Sequence, residues 1–207
     1  MADANITGLI LAGGRGSRMG GVDKGLQAFE GEPMVAHALR RLRPQVSAVA
    51  ISANRHLPAY EAYGVPVWPD LLPDYPGPLA GLLSGLTHAA TPWVLTVPCD
   101  APRFPTDLAS RLYRAVRERG ADIALPVTDR LEPAFCLVAT SLRDDLAKYL
   151  GMGERKVEAW ARQHRWVEVP YRLQGNDAFA FANLNTEEEL KLLEQQRMPD
   201  HSNPQGA

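Results

Sequence analysis

Several things are scarce in this chain of 207 residues. It has only two cysteines, Cys99 and Cys136, each in or beside an apolar run, and that count neither demands nor excludes a disulfide. It lacks any uninterrupted apolar stretch of about 18 residues, so no membrane-spanning helix is expected. Neither sign of charge dominates: the net charge is −2 and the isoelectric point is near 6.2. With no basic stripe interleaved with aromatics, nucleic acid is not the expected partner, and a small molecule is. The five histidines, His37, His56, His88, His164 and His201, lack metal-ligand spacing. No serine sits in a glycine-flanked nucleophile elbow with a histidine nearby. Cys99 is followed by Asp100, and an adjacent carboxylate raises a thiol pKa, so Cys99 reads as core rather than nucleophile. The opening "MADANITG" has no signal-peptide character, which makes the cytoplasm the expected location.

What is present points to one α/β core. Hydrophobic residues make up 45% and charged residues 22%, enough for a single well-developed domain and too little length for two. The apolar run "ITGLILA" (6–12) predicts a buried strand ended by glycines. Pro33 opens a helix to about Arg43, with Met34, Val35, Ala38, Leu39 and Leu42 on one stripe. Strands are predicted at 46–54, 65–68, 93–100, 121–127 and 166–170. Helices are predicted at 78–90, 105–119, 142–150 and 154–163. The segment 129–140 can pair with its neighbour across a tight turn, making a mixed-sheet edge. Thr186, followed by Glu187, Glu188 and Glu189, reads as a helix start with a capping box. Residues 196–207 lack apolar periodicity and read as a frayed tail. The alternation of strand and helix is that of a mostly parallel sheet covered by helices.

In such sheets the ligand crevice lies beyond the carboxyl ends of the strands, where this chain places its unusual polar residues. Residues 11–24 hold five glycines, two arginines and one lysine. Successive glycines let backbone N–H groups turn inward around an anion, so the loop suits phosphate. It is neither a Walker A loop, because Lys24 stands between Asp23 and Gly25, nor a clean dinucleotide fingerprint. Lys24 can stabilise charge on a transferring phosphoryl group; its other reading is a solvated loop cation. Asp100 is the first charged residue after a buried strand and suits Mg²⁺, with phosphate oxygens and waters completing the octahedron. The alternative is a cap on the turn "DAPRFP". Asp70 either contacts ligand or organises the turn "PDLLPDYPGP". Asn183 and Asn185, two apart, share a face if extended, with turn-making the competing role.

These segments also resemble a known family. "LILAGGRGSRMGGVDKGLQAFEGEPM" resembles the N-terminal signature of nucleotide-sugar pyrophosphorylase-like nucleotidyltransferases. "RMGGVDKG", "ANRH", "DYPGPLAG", "PCDAP", "GERKV" and "NLNTEEEL" narrow the likeness to the molybdenum cofactor guanylyltransferases, over roughly residues 6–195. The resemblance implies a three-layer Rossmann-like nucleotidyltransferase fold in one domain, residues 1–195. It also implies transfer of GMP from GTP to molybdenum-loaded molybdopterin, with release of pyrophosphate. On this sequence it implies nucleotide contacts from Leu11, Ala12, Gly13 and Lys24, a base or ribose contact from Asp70, and Mg²⁺ at Asp100. Gly14, Arg18 and Gly21 would line the triphosphate site, with Arg18 joining Lys24 and Asp100 in catalysis. Gly77 and Gly81 would shape the guanine side, and Asn183 and Asn185 the molybdopterin side. Ser52 stands where the family leads one to expect a nucleotide-contacting Asn, and Asn54, two residues on, is the alternative contact. Transient contact with molybdenum-insertion proteins and recipient molybdoenzymes is also implied. The second glycine of "LAGG" favours guanine over the related cytidylyltransferases, which resemble "LAAG" there. A sugar-1-phosphate nucleotidyltransferase and a non-catalytic nucleotide-binding regulator are the remaining rivals.

Overall fold

The structure is a computed structural model that describes residues 3–12, 23–72, 77–172, 179–184 and 189. Gly13, Gly14, Arg18, Gly21, Asn185, the helix start at Thr186 and the 196–207 tail lie outside the described residues.

In chain order the elements are β1 (Asp3–Leu11), a short hairpin of β2 (Ala28–Phe29) and β3 (Glu32–Pro33), α1 (Met34–Leu42), β4 (Val46–Ser52), α2 (Leu57–Glu61) and β5 (Val67–Trp68). They continue through α3 (Pro78–His88), β6 (Trp93–Pro98), α4 (Leu108–Arg119), β7 (Ile123–Val127), β8 (Leu137–Ala139), α5 (Arg143–Gly151), α6 (Val157–Ala161) and β9 (Trp166–Pro170). Seven strands form one sheet in the order β5-β4-β1-β6-β8-β7-β9. All neighbours are parallel except those of β8, which runs antiparallel to both β6 and β7.

The apolar run of β1 is buried because it lies at the sheet's middle, with helices on both sides. Ile6 and Ile10 pack with α1 and α4 through Val35, Leu39, Leu42, Leu108 and Leu112. Leu9, of opposite parity, packs with α3, α5 and α6 through Leu82, Leu86, Leu146 and Trp160. This is the three-layer architecture expected from the strand–helix alternation. Among the described residues no helix is long and apolar enough to cross a membrane.

Two local readings change. The segment 129–140 does pair antiparallel with its neighbour, Ile123 opposite Val138 and Ala124 opposite Leu137, but it is not a sheet edge. β8 lies between β7 and β6, where Leu137 and Val138 are fully buried and also pair with Leu95 and Val94; β5 and β9 form the edges. Its three residues are apolar on both faces, which suits an interior strand. The β2–β3 hairpin and α2 carry too few residues to show a period, and the sequence reading passed over both.

Candidate active site

The register of the central strands sets the floor of the site. Trp68, Ser52, Leu11 and Pro98 stand side by side on β5, β4, β1 and β6. Just above this row the backbone stays tied: Ala12 N–H donates to Ser52 O at 2.9 Å, Ala53 N–H to Trp68 O at 3.2 Å, and Cys99 N–H to Leu11 O at 3.1 Å. Ala12, Asn54, Asp70 and Asp100 therefore leave one end of the sheet at nearly one level. It is the carboxyl end of the four parallel strands, where the sequence places its ligand crevice.

Lys24 reaches this floor from the far side of the glycine-rich segment. Its Nζ lies 3.0 Å from Asp100 Oδ2, the two side chains 25% and 13% exposed, so the pair is sheltered but open to a ligand. Asp100 is held at the end of β6 and accepts through its backbone oxygen from Leu184 N–H at 2.8 Å. That bond brings Asn183, exposed on the 179–184 segment, to within one residue of Asp100. The segment is seated by Leu184, packed with Phe29 and Met34, and by Phe181, edge-on to Phe135 and Tyr171 at 5.0 Å each.

Asn54 and Asp70 bind each other reciprocally. Asn54 Nδ2 donates to Asp70 Oδ2, and Asp70 N–H donates to Asn54 Oδ1, both at 2.8 Å. Burial raises the Asp70 pKa and the Asn54 bond partly opposes it. The Asn54 side chain thus engages a neighbouring site residue. Ser52 is buried, and a Cβ built on Gly81 would lie 2.7 Å from Ser52 Oγ and 2.8 Å from Leu11 Cδ2. Gly81 lets α3 approach the sheet at the floor of the site. Gly77 is exposed and immediately precedes α3. Cys99 is buried, and its thiol is pushed well up by burial first and then by Asp100, in keeping with a core role.

The sequence reading missed a cluster beside Lys24. Asp23, buried, accepts from Gly25 N–H at 3.2 Å, from the Tyr60 hydroxyl at 2.5 Å and from His56 Nδ1 at 2.9 Å. The available signal was an acid immediately before the loop lysine. Its side-chain partners Tyr60 and His56 lie more than thirty residues away, which hides them from local patterning.

A family profile described as "MobA-like NTP transferase domain" matches residues 8–169. A molybdenum cofactor guanylyltransferase of Ralstonia nicotianae is 55% identical over 204 residues, covering 94% of this chain and 98% of the relative. The chain belongs to the molybdenum cofactor guanylyltransferase family. A relative of that name from Bordetella petrii is 56% identical over 194 residues, with 91% of this chain and 97% of the relative covered. Among solved structures, molybdopterin-guanine dinucleotide biosynthesis protein A from Archaeoglobus fulgidus superposes with a TM-score of 0.75 at 22% identity, covering 91% of this chain and 97% of that one. This last likeness is one of fold alone.

Proposed function

We propose that this chain transfers GMP from GTP to molybdenum-loaded molybdopterin and releases pyrophosphate. The observation that carries the reading is the Lys24–Asp100 pair, which joins the end of the glycine-rich segment to the end of β6 in a chain 55% identical to a named guanylyltransferase. In this reading a phosphate oxygen of the pterin attacks the α-phosphorus of GTP, and the bond from that phosphorus to the departing pyrophosphate oxygen breaks. A phosphate monoester is already largely ionised near neutral pH, so no side chain has to remove a proton.

The protein's task is then placement and charge. Lys24 carries three donors, so a bond to Asp100 is compatible with bonds to phosphate oxygens, where its charge counts most as negative charge builds on the leaving group. Asp70, braced by Asn54, offers a fixed acceptor to the base or ribose. In this reading Asn183 is assigned to the pterin, and Arg18 and the glycines of residues 13–22, which lie outside the described residues, are assigned to the triphosphate.

Asp100 suits Mg²⁺. It is a hard, partly exposed carboxylate held at the end of β6. Mg²⁺ favours just such sites, one or two carboxylates with substrate phosphates and water. When bound, the ion supplies charge neutralisation to the phosphate oxygens.

The test is turnover of purified protein with molybdenum-loaded molybdopterin, Mg²⁺ and each of GTP, CTP, ATP and UTP, with pyrophosphate followed. Release with GTP and background with the others is the expected result. Preference for CTP would turn the reading to cytidylyl transfer, and release with none of the four would point to a nucleotide-binding regulator.

A further inference from the structure

Asp23 has no role in the chemistry above, yet the structure invests three hydrogen bonds in it. Its side chain is 6% exposed. A carboxylate can only accept, so Tyr60 and the Nδ1 of His56 are the donors, which fixes the proton of His56 on that nitrogen. Tyr60 is fully buried, and its hydroxyl pKa is raised strongly, by burial first and then by the bond to Asp23, so it remains a donor. His56 has a φ of 51°, a left-handed conformation uncommon for a residue bearing a side chain, and the bond to Asp23 helps hold it there.

The cluster grips both sides of Lys24. Before it stands Asp23, tied to the residue that precedes α2 and to Tyr60 within α2. After it stands Gly25, whose N–H returns to Asp23 and whose added Cβ would lie 2.5 Å from the Tyr60 hydroxyl oxygen. The tight turn is closed by Leu26 N–H to Asp23 O at 3.1 Å and Gln27 N–H to Lys24 O at 3.2 Å. The backbone of Lys24 is thereby pinned to α2, while its ammonium extends to Asp100 on the other side. A long, flexible lysine stem gains precision only if its root is fixed, and a small misplacement of a charged group costs rate steeply.

We propose that Asp23, clamped by Tyr60 and His56, is the positioning residue for Lys24, holding its ammonium where it meets Asp100 and the transferring phosphates. This rests on the guanylyl-transfer reading for its catalytic consequence and on the geometry alone for the placement of Lys24.

The experiment uses the full chain with Asp23→Asn and with Tyr60→Phe, which removes one hydroxyl and keeps the ring in the core. Asp23→Asn lowers kcat about tenfold to a hundredfold, with the smaller share of the effect on KM for GTP. In a Lys24→Ala background the same change has no further effect on kcat, because it acts through Lys24. An equal fractional loss with and without Lys24 would overturn the proposal, since a merely structural defect carries over unchanged. A second measurement needs no turnover: acylation of Lys24 by an amine reagent, resolved by peptide mass spectrometry against exposed Lys148 in the same molecule. Lys24 should react several-fold faster in both variants than in the wild type, and an unchanged ratio would overturn the placement. If the wild type releases no pyrophosphate with any nucleotide, the transfer reading fails while Lys24 reactivity still decides the positioning claim.

Discussion

Under the proposed transfer Lys24 and Asp100 are separable by substitution, because one would supply charge and the other an oxygen ligand. Lys24→Ala should lower kcat about a hundredfold to a thousandfold, the usual cost of one transition-state donor. Lys24→Arg should restore only part of this, because a planar guanidinium cannot place its charge where a compact ammonium sits 3.0 Å from Asp100. Equal activity of the Arg variant in steady-state kinetics would reduce Lys24 to bulk electrostatics. Asp70 makes a different prediction. Burial raises its folded pKa, so between the ordinary Asp value and the raised one the folded chain keeps a proton that the unfolded chain has lost. Stability therefore falls as pH rises through that window, and the deficit persists above it. Asp70→Asn should raise the melting temperature at neutral pH, lose that advantage below the window, and impair turnover with GTP. Melts at several pH values check the sign: a variant less stable at neutral pH would mean that the Asn54 bond outweighs burial.

At the level of elements, the site depends on how closely α3 approaches β1 and β4. A methyl group at Gly81 meets Ser52 and Leu11, both in the row that forms the floor. Overpacking of this kind costs ~1–3 kcal/mol, and the better helix propensity of Ala returns ~1 kcal/mol. Gly81→Ala should therefore lose up to ~2 kcal/mol in urea unfolding, and its activity should fall further than that of a comparably destabilised variant on β9, at the opposite edge of the sheet. A variant as stable and active as wild type would show that α3 can back away from the sheet. The 179–184 segment has a parallel role. Phe181→Ala empties a 4% exposed aromatic site and should cost about 3–5 kcal/mol, loosening the hold of Leu184 on Asp100 and depressing turnover of the molecules that remain folded.

For the whole molecule, the two cysteines report on the two faces of one sheet. Cys99 belongs to the core shared with α1 and α4, and Cys136 to the core shared with α3, α5 and α6. Burial pushes the Cys136 thiol up to about 11 and also pushes the Cys99 thiol well up, so neither presents a thiolate at neutral pH. Both should resist a thiol reagent in the native state and become labelled with the same dependence on denaturant, because β1, β6 and β8 serve both cores and neither face can open alone. Distinct midpoints for the two thiols would show that the faces unfold separately.

The main strands and helices, apart from the β2–β3 hairpin and α2, and their layering were readable from the chain itself, as was the place of Asp100 at the end of a strand, for a local reason. A buried strand must be apolar along its length, and the first polar residue beyond it marks the sheet's end. The glycines and cations of the opening motif likewise carry the expectation of a phosphate ligand before any contact is known. What the chain could not disclose depends on distance across the fold. Lys24 meets Asp100 across 76 positions, and Asp23 meets Tyr60 across 37, because the sheet order sets β1, β4 and β6 side by side. The reciprocal Asn54–Asp70 bond, the close seat of Gly81 and the interior position of β8 have the same origin. Hydrophobic period reports whether a residue is buried; which residues share that burial is decided only when strands from separate parts of the sequence take their order in the sheet.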